Sequence, residues 1–559
     1  MTGLTASSMA QVPRAPIEQI DRPLEQRRVF PDFRREVEPP VFVLPPVVPQ
    51  AGQPALSSAM RVRVTRIRLV GHTAFSDQEL GALAAPFENR ELGNEDLEEL
   101  RNRITRHYVN AGYINSGALI PDQRVADGVI TLQIVEGRLA EIEIAGEHRF
   151  HPDFLRSRLA LGAGPPLNVN RLQEQMQIML LNPQIERINA ELGPGMRPGE
   201  GTLKARIDGG RPALVNLSVA NNRSPSVGGV RAELQGTAQN LLGRGENLSL
   251  RAGRTGGLDD YGVSFTMPVS VRDTSLSLRY DKNDSTVIEE PFNRLDIRSK
   301  SETLEIGIMH PFMRTPEKEI SGRALLSNRH SETFLLGQPF SFTPGLEDGK
   351  STVSALRLSL DWIDRGQDRV LAVRSSFNFG IDRFGATIKS GGTPDSRFAS
   401  WLGQFQWAKR LAKDQGQWVF RADAQLSDRG LLPSEKFAVG GADTVRGYRE
   451  NTMVRDSGWV ASLEYRRPLA RLPIAALGDD SNDGILHWTV FADAGKAWDR
   501  NDGAAANGIR SAGPGLRWEI TRDFQAQIYW GIALTDTGNP KRDLQDRGIH
   551  IKVALQKPF

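Results

Sequence analysis

Leu356-Arg357-Leu358-Ser359-Leu360-Asp361-Trp362 alternates apolar and polar residues without a break. A strand sends successive side chains to opposite faces, so this stretch has one face of leucine and tryptophan and another of arginine, serine and aspartate. Trp418-Val419-Phe420-Arg421-Ala422-Asp423-Ala424 repeats the arrangement, and Leu371-Ala372-Val373-Arg374 does so less cleanly. A soluble sandwich also alternates, but it turns the apolar face inward and seldom sustains charge opposite it over a strand of roughly ten residues. A membrane barrel reverses the sense, apolar toward lipid and polar toward the lumen. No stretch approaches the roughly 18 consecutive apolar residues of a membrane helix. The longest candidate is the proline-broken Val41 to Val48. A chain of this kind that crosses a membrane does so as a closed sheet.

Working outward, sixteen such segments start near Val215, Val230, Glu246, Tyr261, Thr274, Lys300, Lys318, Ser351, Arg369, Phe398, Gly416, Ser457, Ile485, Gly508, Phe524 and His550. An even count returns both barrel ends to one side of the membrane, and the links alternate accordingly. Long ones lie near Asn283 to Arg298, Ser331 to Gly349, Ile381 to Arg397, Asp428 to Asp456 and Asp536 to Arg547; Asp364 to Asp368 and Thr521 to Asp523 are tight. Long loops are expected outside and short turns in the periplasm, with Ala470 to Gly484 longer than that rule. The last segment carries Ile551, Val553, Leu555 and Phe559 on one face, with Lys557 the exception. Phe559 is the expected assembly signal, a terminal aromatic on the lipid face.

Upstream, the texture is a repeat. Ile67-Arg68-Leu69-Val70-Gly71 with Phe75 recurs as Ile142-Glu143-Ile144-Ala145-Gly146 with Phe150. In each copy a strand ends at a glycine turn and yields to a helix. Ser76 with Glu79 reads as a capping box. Leu97, Leu100, Ile104 and Tyr108 line one face of a second helix from Asn94 to Gly112, before a strand from Val129 to Val135. The second copy predicts helices near Pro152 to Leu161 and Asn170 to Leu181, then strands Ile185 to Leu192 and Thr202 to Ile207. The expected divisions are residues 1–60 (N-terminal segment and linker), 61–137 and 138–210 (two α+β modules), and 211–559 (a 16-stranded antiparallel transmembrane β-barrel with loop 428–456 folding inward). The first division is rich in proline and arginine, with a short helix predicted from Asp21 through Arg28. Ser8-Met9-Ala10 before Gln11 offers small residues where a signal peptidase cuts, although a basic and apolar leader is not visible before it.

Composition narrows function. The 70 Lys+Arg nearly balance 67 Asp+Glu, so no nucleic-acid partner is expected. With 0 cysteines among 559 residues, disulfide scaffolds, thiolate metal sites and cysteine nucleophiles are excluded. Pro344 to Thr352 imitates a phosphate loop, but its spacing is one residue short, proline stands in the first glycine's place, and Glu347-Asp348 would repel phosphate. The histidines form no HExxH pair, and His148 and His151 read as surface residues of the second module. No GxSxG elbow occurs. The expectation is a protein that is not an enzyme and takes no cofactor or metal.

The informative motif is Gly440-Gly441-Ala442-Asp443-Thr444-Val445-Arg446-Gly447-Tyr448, inside the link between the eleventh and twelfth strands. Two strands further on, if Trp488, Val490, Ala492 and Ala494 face lipid, Phe491, Asp493 and Gly495 face the lumen. On the next strand Gly513, Gly515 and Arg517 share a face, and glycines on an inner wall leave room for a loop to dock.

In these motifs the sequence resembles the two-partner secretion transporters, outer-membrane channels exporting filamentous haemagglutinins, haemolysins and contact-dependent toxins, within the superfamily of the barrel assembly machinery's central subunit. The resemblance spans nearly the whole chain. It implies that the Val-Arg-Gly-Tyr loop folds back into the barrel and that Arg446 locks onto Asp493, flanked by Val445, Gly447 and Tyr448, with Phe491, Gly495, Gly513 and Gly515 as docking wall. It also implies two polypeptide-transport-associated modules in the periplasm that take the unfolded partner exoprotein by strand addition to a sheet edge. The remaining implied partners are outer-membrane lipid and lipopolysaccharide, and the barrel assembly machinery during biogenesis; the protein is expected to be a monomer. Pro16 to Arg35, short, proline-interrupted and poorly amphipathic, departs from the family's plug helix. The rival readings are an assembly factor that inserts other barrels through a lateral seam and a passive porin, for which the periplasmic modules would have no purpose.

Overall fold

The computed structural model describes residues 40–43, 61–343, 346–389, 392–412, 415–474, 476–477, 480, 483–500, 508–538 and 542–559. The helix expected at Asp21 to Arg28, the cleavage-like Ser8 to Ala10, and Pro16 to Arg35 lie outside the described residues. The described chain falls into two compact units, which are taken in turn: residues 36–211 with 240–245, and residues 212–239 with 246–559.

The first unit holds two hydrophobic cores. One is built on the helix Asn94–Asn110, whose Leu100, Ile104 and Tyr108 are fully buried. Helix Asp77–Ala84 precedes it, with Ser76 Oγ accepting the Glu79 amide at 3.3 Å as N-cap. Both helices cover a sheet in which Arg66–Val70 runs parallel to Val129–Val135, with Gly117–Leu119 antiparallel on its other side. The other core gathers Leu155, Leu159, Leu172, Met176 and Ile207 from helices Pro152–Ala163 and Val169–Leu180 and strand Glu200–Gly209. His151 caps the first of these helices, accepting from the Asp153 amide. The repeat has a physical cause at its glycines. Gly71 and Gly146 both sit at positive φ, +88° and +108°, and a Cβ on either would strike the backbone of the neighbouring strand, at Ile134 and Ile207 respectively.

In the second module the sheet has a fourth strand from the linker. Val41–Val43 pairs parallel with Ile185–Pro194, Phe42 opposite Ala190, and Phe42 packs against the core. One edge of that sheet is therefore occupied by the chain itself, and Arg138–Ala145 forms the other edge.

The second unit is a closed antiparallel barrel of sixteen long strands, running from Ala213–Ala220 to Ile549–Pro558, with two-residue extensions at Gln338–Pro339 and Ile532–Ala533. The first and last strands pair along their length, Leu217 opposite Leu555, and Ala213 and Phe559 exchange amide and carbonyl bonds. Its polarity is inverted as the alternation requires: Leu356, Leu358, Leu360 and Trp362 are 36–51% exposed, whereas Arg357 and Asp361 on the same strand are 8% exposed. The charges face inward, where they pair; Arg251, for example, bridges Asp260 and Asp281 of the two following strands. Strands are short near the seam and long opposite it, 8 residues in Ala213–Ala220 against 18 in Lys318–Leu335. Ser275–Thr286 and Lys318–Leu335 extend into stretches expected as loop. The long link after Arg471 is ordered at its base by Leu472, whose amide bonds the Gly484 carbonyl and whose own carbonyl accepts from Trp518 Nε1.

Candidate functional site: a loop inside the lumen

Between strands Gln417–Ser427 and Ser457–Arg471 the chain leaves the wall for 29 residues, 428 to 456. Asp456 closes its base, its carboxylate accepting from the amides of Leu431 and Arg500. A small hairpin, Phe437–Val439 against Met453–Arg455, carries the tip. An apolar cluster holds the hairpin to the wall: Phe437, Val439, Val445 and Tyr448 from the loop meet Leu402, Val460, Ala497 and Ile509 from the strands. Such burial is worth about 1.5–3 kcal/mol per large side chain, enough to keep an otherwise polar loop out of solvent.

At the tip, Arg446 is 4% exposed and Asp493 3%. Arg446 Nε and Nη2 donate to the two Asp493 oxygens, each at 2.8 Å, and the Arg446 amide donates to the same carboxylate at 3.0 Å. This is the bidentate fork that a carboxylate accepts best. The remaining donors reach Glu464 and, at 3.0 Å, Ser462 Oγ. The guanidinium lies 3.6 Å from the Phe491 ring centroid and 4.8 Å from that of Tyr529, and these rings stand edge to face. Tyr529 Oη in turn lies 3.2 Å from Glu464. One buried cation thus faces two carboxylates and two aromatic faces.

Glu464, Ser462 and Tyr529 escaped sequence reasoning, although each occupies an inward position by alternation. What the sequence does not display is register: Ser462 stands directly opposite Asp493, and Glu464 opposite Phe491. Tyr448 anchors elsewhere, its hydroxyl 2.7 Å from the Arg510 carbonyl and accepting from the Thr535 amide. Arg449 forks onto Asp546 at 2.7 and 2.9 Å and onto Glu289 at 3.0 and 3.2 Å, tying the tip to two other long loops.

The wall glycines divide. A Cβ on Gly495 would lie 2.6 Å from Val439 Cγ1 and 3.0 Å from Val445 Cγ2, so this glycine receives the loop. Gly513 and Gly515 do not: their nearest neighbours are Trp530 and Tyr529 of the adjacent strand. Their smallness serves packing within the wall, which corrects the docking role expected from their shared face. The close approach that the loop does need is at Gly447, φ +99°, whose backbone lies against Gly531. Gly531 carried no sequence signal, because it follows Trp530 in a segment read as continuous strand.

The lumen also holds a cavity of about 550 Å³, lined by wall residues alone, Arg323, Arg357, Asp361, Arg374, Gln404 and Gln406 among them. Among the described residues no group of three or more His, Asp and Glu is arranged to hold a metal.

Residues 199–518 match the family described as haemolysin secretion/activation protein ShlB/FhaC/HecB, and residues 62–137 match the ShlB-type POTRA domain. The outer membrane transporter CdiB of Escherichia coli O6:K15:H31 is 24% identical over 470 residues, covering 81% of this chain and 76% of the relative. The heme/hemopexin transporter protein HuxB of Haemophilus influenzae (strain 86-028NP) is 22% identical over 477 residues, 80% and 79% of the two chains. The solved structure of CdiB from Escherichia coli superposes with a TM-score of 0.67 at 20% identity, over 92% of this chain and 94% of that one.

Proposed function

The chain belongs to the haemolysin secretion/activation protein family, and we propose that it exports one large partner exoprotein, an adhesin, haemolysin or contact-dependent toxin, through its barrel to the cell surface. It is an outer-membrane β-barrel whose POTRA modules stand in the periplasm. The observation that carries the reading is the buried tip: a transporter must restrict its pore between cargoes, and a loop held inside the lumen by Arg446 on Asp493 and Glu464 occupies the path an exported chain would take. Arg446 is the lock, Val445 and Tyr448 are the apolar and polar anchors beside it, and Gly447 lets the backbone pass Gly531.

The periplasmic modules take the unfolded partner as an added strand. In the second module the candidate edges are Arg138–Ala145 and the one now filled by Val41–Val43. No nucleotide is hydrolysed; the partner folds outside, and that folding shifts the population of exported chain outward. The barrel works as a monomer among lipid and lipopolysaccharide, and Phe559 serves the barrel assembly machinery during biogenesis. The residues do no catalysis.

The test is export into the medium of the partner encoded beside this gene, by cells carrying the wild type, Arg446→Ala, or a deletion of 62–207. Loss of export in both variants, with the barrels inserted and other outer-membrane proteins at normal levels, is expected. Unchanged export, or a general fall in outer-membrane proteins, would replace this reading with barrel assembly.

A further inference from the structure

The first limb of the lumen loop is held by residues far from Arg446. Pro433–Glu435 forms a single 3-10 turn, and the Glu435 carboxylate accepts from Nη1 and Nη2 of Arg357, both at 2.9 Å. The two side chains are 6% and 9% exposed. Arg357 is itself oriented: its Nε donates to Ser327 Oγ at 3.2 Å. The backbone on either side is held as well, Arg329 Nη1 donating to the Ser434 carbonyl at 3.2 Å and Gln425 Nε2 to the Glu435 carbonyl at 2.9 Å.

Arg357 and Arg329 lie on strands Lys350–Arg365 and Lys318–Leu335, whereas Asp493 and Glu464 lie on Ile485–Trp498 and Ser457–Arg471. Three strands, Arg369–Gly380, Ala399–Arg410 and Gln417–Ser427, separate the two anchoring regions around the wall. Arg357 also lines the lumen cavity of about 550 Å³, whereas Arg329, Pro433 and Ser434 line a smaller one of about 120 Å³. One arginine therefore both grips the loop and lines the lumen cavity.

We propose that Glu435 and Arg357 form a second latch on the lumen loop, separate from the Arg446 lock, and that this latch sets how much of the lumen stays open beside the loop. The inference rests on the export reading for its purpose, but its geometry stands apart from it. Releasing Arg446 loosens the tip, which Tyr448 and Arg449 still anchor, while Pro433–Glu435 stays on the wall; releasing Glu435 loosens the first limb, leaving it on the weaker backbone contacts of Arg329 and Gln425, while the tip stays locked. Full clearance needs both. These are positioning residues, because the exported chain need not touch them.

The experiment is conductance in planar lipid bilayers of the intact protein, its Glu435→Gln and Arg357→Gln variants, and the exchange double variant carrying Glu435→Arg with Arg357→Glu. Each single variant removes the two-point charge pair between loop and wall, and the time spent in larger openings is expected to rise about tenfold or more. The exchange variant is expected to return toward wild type. Should a glutamine variant fail to fold, Arg357→Lys reads the same quantity, since it keeps the charge but loses the fork, and its open time is expected between wild type and the tenfold rise. Wild-type conductance in the folded single variants, or an exchange variant no closer to wild type than they are, would overturn the latch. Export is measured in parallel. A chain that conducts as expected yet exports no partner refutes the transporter reading and leaves the latch; one that exports while its conductance ignores these substitutions refutes the latch alone.

Discussion

At the scale of the residue, Arg446 illustrates why a buried charge is a commitment. In water its pairing would be worth little; inside the barrel its removal strands Asp493, 3% exposed, without its cation and leaves Glu464, 2% exposed, with Arg466 alone. Breaking such a pair costs about 3–5 kcal/mol, less where lumen water reaches the carboxylates. Arg446→Ala is accordingly expected to lower the temperature at which the detergent-solubilised barrel loses its compact migration on a gel. Arg446→Lys is expected to recover part of the loss, because an ammonium supplies the charge but neither the two-point fork nor the flat face that Phe491 receives. Gly447 gives a second test. It has φ +99°, and an added Cβ would lie 3.0 Å from the Gly531 carbonyl oxygen and 3.1 Å from Ser511 Cβ. Gly447→Ala is expected to expel the tip, seen as new protease cleavage between residues 440 and 452, whereas Gly385→Ala, with nothing within 4 Å, is expected to leave the tip protected.

At the scale of the element, the first periplasmic module shows a polar network doing structural work. Glu136 follows strand Val129–Val135 and accepts from the Thr73 hydroxyl and amide, the Ala74 amide and the Tyr108 hydroxyl. Burial pushes its pKa up, but those four donors bond the ionised form more strongly and hold the carboxyl below the ordinary range. A carboxylate depressed in the folded state contributes stability above its unfolded value of about 4.3, and that contribution is lost as pH falls through the folded value. Amide exchange in Asn94–Asn110 of the intact protein is expected to accelerate as pH drops below about 4.3, once corrected for intrinsic rates. In Glu136→Gln the exchange should already be faster at neutral pH and should lose that acid step. This network was invisible beforehand because its members are distant in sequence and only the parallel pairing of Arg66–Val70 with Val129–Val135 brings them together.

At the scale of the whole molecule, the seam separates export through the lumen from release into the membrane. Ala213–Ala220 and Ile549–Pro558 are hydrogen-bonded along their length, and Asn221 staples one end, its side chain bonding the Ile549 carbonyl and the Ile551 amide. Leu217 and Leu555 are directly opposed, and opposed residues stand about 4.5–5.5 Å apart, within disulfide range. Because the chain has no cysteine of its own, Leu217→Cys with Leu555→Cys can be oxidised without competing thiols. Export is expected to continue with the seam closed in this way. Export that stops on oxidation and returns on reduction would mean that cargo leaves sideways.

The alternation in 356–362, repeated around the chain, sufficed for a barrel with charge inside, and the Ile67/Ile142 repeat sufficed for two modules, because both rest on periodicity, which a single strand or helix obeys by itself. The loop motif and Asp493 were legible as well, since each is a short local pattern on a known face. Which residues meet was another matter. Glu464 and Tyr529 beside Arg446, Gly531 beneath Gly447, Arg357 beneath Glu435 and Val41–Val43 on the second sheet all depend on strand register and on closure, which pair residues up to 105 positions apart in the loop's first limb alone. Local sequence sets the direction in which a side chain points; only the closed sheet decides what it meets there.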